Sequence, residues 1–462
     1  MGAPALGSVL IEGGTVVTMD RGRRTLEDAS VLVEDGKVAA VGRRDSVGGK
    51  RAEERIDARG MAVIPGLVDT HLHLAQSLIR GYADDLSLIG WLRERVWPMQ
   101  GNFTKEDGRA SARLSLLEMM KSGTTSFVGV DVVSRYGFEG IAEEVSASGM
   151  RGALAKSIMD SGSYGGERRI MHPGLIEERA ESLAEAKSMA GRWNGVRDGR
   201  VKIWLAPRSL GGCSRGLYEE VAELAVGLKT GVTMHLAEVK EDVRYAKEAF
   251  GMTPVEFAEA VGLAGPHVLF AHMVWADDRE IGRLAATKTN VAHNPSSNLK
   301  LASGVPRVPE MLEAGVNVGL GCDGAPCNNS YDMVREMKLA AVIQKARLLD
   351  PTAMPAQRVL EMATIGGARA MGMEKDVGSI EVGKRADLVL VDLRKPHLTP
   401  HPNVVSSIVY SAMGSDVDTV MVEGKVIVKG GSSLTLDEAA VVREASERAA
   451  GLAERSGIRA GD

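Results

Sequence analysis

Residues 65–73 read PGLVDTHLH, an apolar run that ends in two histidines one residue apart. Leu67 to Asp69 have the pattern of the end of a buried strand, which places His71 and His73 where that strand runs out. Side chains two apart on a strand point to the same side. Both imidazoles therefore reach one metal ion from a single rigid element. Taken alone, the stretch is also compatible with two satisfied or exposed histidines, so the rest of the chain has to decide.

Outward from this stretch, from about Pro65 to about Glu374, the chain alternates between two textures. Strand-like runs (SFVGV, KIWLAP, VTMHLA, VLFAHM, TNVAHN, NVGLGCD) are separated by helical stretches. Thr104 opens one helix with a Thr-x-x-Asp capping box, and Gly123 closes it. The alternation predicts parallel βα units, and about eight of them fit a closed (β/α)8 TIM-like barrel, an α/β fold. The chain ends read differently. VLIEGGTVVTM and ASVLVEDGKVAAVG are short strands, with a hairpin signal at Asp35-Gly36, and ADLVLVDL and DTVMVEGKVIVKGG repeat that texture near the other end. Neither piece buries a sheet by itself, so a small β-sandwich built from both chain ends is expected. The expected division is 1–64 and 375–435 for the two parts of the sandwich, 65–374 for the barrel, and 436–462 for a charged, Ala-rich helix packed outside.

The bulk properties narrow the function. At 462 residues the chain suits one large domain with a smaller companion, and its 25% charged residues are ordinary for a globular protein. A net charge of −5 offers no basic patch for nucleic acid or anionic lipid. No apolar run approaches the ~18 residues of a membrane span. The start, MGAPALGSVLIEGG, lacks the basic and long apolar segments of a secretory leader. Cys213, Cys322 and Cys327 form no C-x-x-C pair, which favours a reducing, cytoplasmic setting.

Of the nine histidines, five end strand-like runs: His71, His73, His235, His272 and His293. Strand C-terminal ends form the active face of a barrel, so these five converge there although they are distant in sequence. His172, His397 and His401 lie beside prolines and His267 precedes a strand; these four read as structural or surface groups. Glu238 follows His235 by three residues. It is either a surface carboxylate at a helix start or an acid held near a metal water. His272 is open to reading as a core histidine bonded to backbone, and Asp323 as a capping acid. With three imidazoles nearby, ligation is the stronger reading for Asp323. Three nitrogen donors and one oxygen suit a divalent ion, zinc first, with iron or manganese as alternatives. Glu238 is then placed to take a proton from water and hand it to a leaving nitrogen.

The ordered motifs PGLVDTHLH, HLAE, FAHM, HNPSSNLKLASG and GCDGAPCNN resemble those of the amidohydrolase superfamily, and the likeness covers nearly the whole chain. The resemblance implies one metal held by His71, His73, His235 and Asp323, with Glu238 as proton shuttle and His272 acting at the attacked carbon. Relatives with two metals use a carboxylated lysine on the fourth strand. Lys202 is the candidate there, and it precedes the strand end by several residues, which favours one metal. RGYADDLSLIGWLRERVWPMQ, APRSLGGCS and GCDGAPCNNSYDMVREMKLAA are similar to segments of deaminases of 5′-deoxyadenosine, methylthioadenosine and S-adenosylhomocysteine. That likeness implies Trp91 packed on a purine nucleoside and Arg208 at its rim; the bland alternatives are a core tryptophan and a solvated arginine. Gln100 stands where relatives carry a glutamate that grips the ribose hydroxyls, and Arg208 where methylthioadenosine enzymes carry histidine. The implied activity is hydrolytic deamination at C6 to an inosine-type product. Two alternatives are a deaminase or chlorohydrolase of a free heterocycle (guanine, pterin or s-triazine) and, more remotely, a non-catalytic barrel serving assembly. The expected partners are a small-molecule substrate and further copies of the chain in a homo-oligomer, with no nucleic acid and no membrane.

Overall fold

The computed structural model describes residues 7–195 and 199–459. Positions 1–6, 196–198 and 460–462 lie outside the described residues, and with them the first six residues of the stretch read for a leader and the last three of the expected tail helix.

The N-terminal strands are β1 (Val9–Val17), β2 (Thr25–Glu34), β3 (Lys37–Arg43), β4 (Glu54–Asp57) and β5 (Met61–Pro65). Eight strands follow: β6 (Leu67–His73), β7 (Thr124–Val132), β8 (Arg151–Ile158), β9 (Val201–Pro207), β10 (Val232–Leu236), β11 (Val268–His272), β12 (Asn290–His293) and β13 (Val318–Leu320). The last four are β14 (Leu388–Asp392), β15 (Val417–Val422), β16 (Lys425–Lys429) and β17 (Ser432–Ser433).

Strands β6 to β13 pair in parallel around a closed barrel, and β9–β10 and β13–β6 complete the ring. The strands from both chain ends form one nine-stranded mixed sheet in the order β17-β16-β15-β14-β5-β1-β2-β3, with β4 on β1. The seam is the antiparallel pairing of β14 with β5, in which Val389 faces Ile64 and Asp392 faces Met61. Val9, Ile11, Val31 and Val33 from one end share a buried cluster with Leu388, Leu390 and Met421 from the other. The Asp35-Gly36 hairpin joins β2 to β3 with both residues at positive φ (49° and 76°), as a two-residue turn between right-twisted strands requires.

Thr104 caps the helix Lys105–Lys121 with its hydroxyl accepting from Asp107 N, and the Asp107 carboxylate accepts from Thr104 N in return. One barrel strand, β8, is absent from the strand-like runs of the sequence. Its sequence RGALAKSI carries Arg, Gly, Lys and Ala, which score poorly as a strand. Tertiary pairing overrides that preference. Arg151 meets the Asp387 carboxylate from the end sheet at 3.1 Å, and Lys156 is wholly buried against Glu177. Among the described residues no helix is long and apolar enough to cross a membrane. The helix Glu438–Ser456 packs on Lys105–Lys121, where Lys121 pairs with Glu438 and Arg113 with Glu444.

Candidate metal centre and active site

His71 and His73 end β6, and His235 is the fourth residue of β10. His272 ends β11, and Asp323 follows β13, bridged to Leu72. The parallel register brings these strand ends to one face. His73 Nε2 lies 3.1 Å from His235 Nε2 and 2.9 Å from Asp323 Oδ1, and His71 Nε2 lies 3.3 Å from the same oxygen. Ligand atoms of His71, His235, His272 and Asp323 all fall within 4.8 Å of one another. The four residues expected as ligands thus converge, and His272 stands close enough to be a fifth donor.

The donor set fits a cation. His71 is fully buried; its Nε2 faces the Asp323 carboxylate at 3.3 Å, and its Nδ1 has no hydrogen-bond partner among the described residues, a costly state for a polar atom. The two facing Nε2 atoms of His73 and His235 have no use for each other unless a proton or a positive ion stands beside them. Burial holds His71 down to about 4, so the ring is neutral and its lone pair available. Burial, and then the nearby Arg208 charge, keeps His235 well below its ordinary value. Burial pushes the Asp323 carboxyl up, but hydrogen bonds from His71 and His73 outweigh it and hold the group well below the usual range. Neutral imidazoles and an ionised carboxylate are the protonation states that metal binding needs.

Supporting contacts orient the rings. The His235 ring is held by Arg208, whose carbonyl lies 3.1 Å from Nδ1 and whose Nη1 lies 2.8 Å from Nδ1 and 3.1 Å from Nε2. His272 Nδ1 donates to Asn298 Oδ1 at 2.9 Å. Its Nε2 then faces Glu238 Oε2 at 3.7 Å and Asp323 Oδ2 at 3.8 Å. The backbone is strained at the same strand ends. Ala237, His272 and Asp323 take φ of 51°, 77° and 62°, a region that residues with a side chain occupy only when the surroundings impose it.

Glu238 is buried, and burial raises its carboxyl above the ordinary glutamate value. Its backbone N–H donates to Asp242 at 2.9 Å. A narrow cavity is lined by His73, Glu238, His272 and Asp323 together with Leu88, Trp91, Leu92, Tyr164, Arg208 and Leu301.

Trp91 sits in this lining, its indole N–H 3.4 Å from the Pro326 carbonyl. It belongs to a helical run from Leu88 to Gln100 that widens into a π-turn at Leu92–Val96. Pro98, which lacks an N–H, follows that turn. Leu88, Trp91 and Leu92 share one face of the run, at the i, i+3, i+4 spacing that turns them jointly to the cavity. Arg208 is buried rather than solvated and lines the cavity, with Nη1 2.8 Å from His235 Nδ1. Gln100 is buried at the end of the helical run, outside the residues that line the cavity. Lys202 is the second residue of β9 and lines a separate cavity with Asn194 and His267, which shares no residue with the cavity of the donor cluster. His293 is buried at the end of β12 but does not line the cavity. His172 caps a short turn by accepting from Gly174 N, and His397 pairs with Asp416 at 2.7 Å. Cys322 and Cys327 are free thiols buried beside the Asp323 loop. Asn298 and Leu301 lie within the HNPSSNLKLASG motif but were not singled out there, and Tyr164 carried no signal in the sequence, because it is recruited from a loop whose direction only the fold sets.

The family model for the amidohydrolase family matches residues 62–427, most of the chain. The chain belongs to the amidohydrolase family. Over 98% of its length and 100% of the other protein, it is 40% identical to the 5′-deoxyadenosine deaminase of Methanosarcina acetivorans. It is also 40% identical to the 5-methylthioadenosine/S-adenosylhomocysteine deaminase of Moorella thermoacetica, covering 96% of this chain and 99% of that one. Among solved structures, an adenosine deaminase from Xanthomonas campestris with bound zinc superposes with a TM-score of 0.89 at 31% identity, covering 96% and 98% of the two chains. As an amidohydrolase, the chain places its donor cluster at the barrel end where that fold carries its chemistry.

Proposed function

We propose that this amidohydrolase is a zinc-dependent hydrolytic deaminase of a 6-aminopurine nucleoside of the 5′-deoxyadenosine, methylthioadenosine or S-adenosylhomocysteine type. The observation that carries the reading is Glu238: a buried carboxylate 3.7 Å from His272, beside the donor cluster and in a cavity walled by Trp91 and leucines. His71, His73, His235 and Asp323 hold the ion, with iron or manganese as the other candidates. When bound, the ion supplies Lewis-acid chemistry that brings the pKa of water from ~16 toward 7.

The chain's residues do the rest. The apolar walls of Leu88, Leu92 and Leu301 exclude solvent and accept a flat heterocycle, and Trp91 packs against the nucleoside. His272, fixed in its Nδ1–H form by Asn298, directs an Nε2 lone pair at the attacking water. Glu238 takes a proton from that water as the oxygen bonds to C6, and delivers it to the ring nitrogen. It then carries the second proton to the amino group, which leaves as ammonia when the C6–N bond breaks. A chloride leaving group needs no such proton, so an intact Glu238 favours amine release over dechlorination.

The deciding experiment is ammonia release by zinc-loaded protein. The panel is 5′-deoxyadenosine, methylthioadenosine, S-adenosylhomocysteine and adenosine beside guanine, pterin and a chloro-s-triazine. Turnover confined to the adenine nucleosides is expected; turnover on free heterocycles alone defeats the nucleoside reading. A chelator is expected to abolish activity, and added zinc to restore it. The pH profile is a second check. Glu238 must be ionised to act as base, and burial raises its pKa. The acidic limb of kcat/KM is therefore expected above the ordinary glutamate value, with activity lost as pH falls through the raised one. A limb at or below that value contradicts the role of Glu238.

A further inference from the structure

Glu336 is a buried carboxylate that the chemistry above leaves unused. It lies in the first turn of the helix Met333–Leu348 and is 1% exposed. Three donors converge on its two oxygens. Ser296 N–H donates to Oε2 at 3.1 Å, the Ser296 hydroxyl donates to Oε1, and Asn328 Nδ2 donates to Oε1 at 3.0 Å. An ionised carboxylate only accepts, which suits a place where only donors arrive; an amide there brings donors of its own.

The partners of Glu336 belong to two different parts of the site. Ser296 lies in the short helix Pro295–Lys300, whose first N–H groups have no acceptor within the helix, so Glu336 caps that helix from outside. Asn294 and Asn298 stand two residues to either side of Ser296, and both face the same ring nitrogen. His272 Nδ1 lies 2.9 Å from Asn298 Oδ1 and 3.4 Å from Asn294 Nδ2. Asn328 ends the helical turn Ala325–Asn328, which starts two residues after Asp323. Its Nδ2 also donates at 2.8 Å to the carbonyl of Cys322, the residue before Asp323. One carboxylate thus ties the helix that orients His272 to the loop that carries Asp323.

We propose that Glu336 is a positioning residue of the deaminase: by holding Ser296 and Asn328 at once, it keeps Asn298 against His272 Nδ1 and so aims His272 Nε2 at the reacting atoms. A helix of six residues is too short to be stable by itself, and its direction has to come from partners outside it. Ser296 is bonded through both its N–H and its hydroxyl, so the carboxylate sets the rotation of this helix as well as its place. Rotation is what matters for Asn298, half a turn further on, because its contact with His272 is a single directed hydrogen bond.

This inference rests on the deaminase reading, and the experiment separates their failures. Glu336→Gln keeps the volume but sets one acceptor oxygen and two new donors against the three existing donors. The parent carboxyl, which burial pushes up to about 7, is mostly ionised at an assay pH of about 8. There the variant is expected to lower kcat about 10- to 100-fold, the effect of a reacting group displaced by about 1 Å. KM and zinc content are expected to stay as in the parent protein. The route through Asn298 is read by a double-variant cycle. Asn298→Ala and Asn298→Ala with Glu336→Gln are expected to share one kcat, because without the Asn298 amide Glu336 has nothing to hold against His272. Ser296→Ala removes only the hydroxyl bond from a half-buried position, with a loss of about 3- to 10-fold expected, and it replaces Glu336→Gln in the cycle if that variant does not fold. Unchanged kcat in Glu336→Gln, or in Ser296→Ala where it takes that place, overturns the inference and leaves the deaminase reading intact. Losses that multiply in the cycle also overturn it, since Glu336 would then act by a route other than Asn298. Parent protein that turns over no nucleoside overturns both.

Discussion

Glu238→Gln is expected to abolish turnover while leaving zinc bound. Gln keeps the volume and one acceptor oxygen but takes up no proton, so the transfers to the ring nitrogen and to the leaving amine lose their carrier. General acid–base catalysis by one placed group is worth about 10²- to 10⁴-fold. Here the same carboxylate serves two transfers, so the loss belongs at the upper end. The variant is well suited to the test because Glu238 is not among the expected ligands, and its backbone N–H bond to Asp242 at 2.9 Å does not involve the altered atoms. Zinc content by emission spectrometry and kcat on the preferred nucleoside are the two readings. Full metal with near-zero kcat is the expected result, and retained activity removes Glu238 from the mechanism. Loss of zinc in this variant reassigns Glu238 as a ligand.

Arg151→Ala is expected to cost about 3–5 kcal/mol of stability, the usual result of leaving a buried charge without its partner. Arg151 Nε and Nη2 reach the two oxygens of Asp387 at 3.1 and 3.3 Å, with side chains 2% and 1% exposed. The pair joins the start of β8 in the barrel to the end sheet, where Asp387 O also accepts from Gly66 N and its carboxylate from Glu423 N. Removing the guanidinium strands an ionised carboxylate between the two layers. The shift in urea midpoint measures the effect. Arg151→Met with Asp387→Leu removes both charges and is expected to recover part of the loss. Recovery stays incomplete because Glu423 N–H then has no acceptor. A shift below about 1 kcal/mol for Arg151→Ala would show that water reaches the seam and screens the pair.

Much of the metal centre was legible because its residues sit where strands end. His71, His73, His235, His272 and Asp323 each close an apolar run, and a parallel barrel sends all such ends to one face. Pattern and topology therefore coincide. In the helical part of the site wall only Trp91 was marked, by the resemblance, while Leu88 and Leu92 join it at helical spacing in the fold. The wall was illegible where it is loop-borne: nothing in SGSYGGE announces that Tyr164 lines the cavity. Of the two readings of Arg208, the solvated one is set aside, since the cleft buries it against His235. The strand β8 failed for a related reason, since its arginine and lysine are polar by composition and buried by pairing.

By itself, the sequence determined the alternation of strands and helices, the union of the two chain ends into one β domain, and the groups that face the same barrel end. The single nine-stranded sheet in place of the expected sandwich came from the fold. Period-2 and period-3.6 apolar patterns encode which face of each element is buried, and parallel βα units leave little choice of topology. The tertiary structure alone decided the distances among those groups, the tautomer of His272, the neutral state of His71, and which loop residues close the cavity. Those properties depend on burial and on partners far apart in the chain. Local sequence sets neither the dielectric around a side chain nor the neighbour that the fold delivers to it.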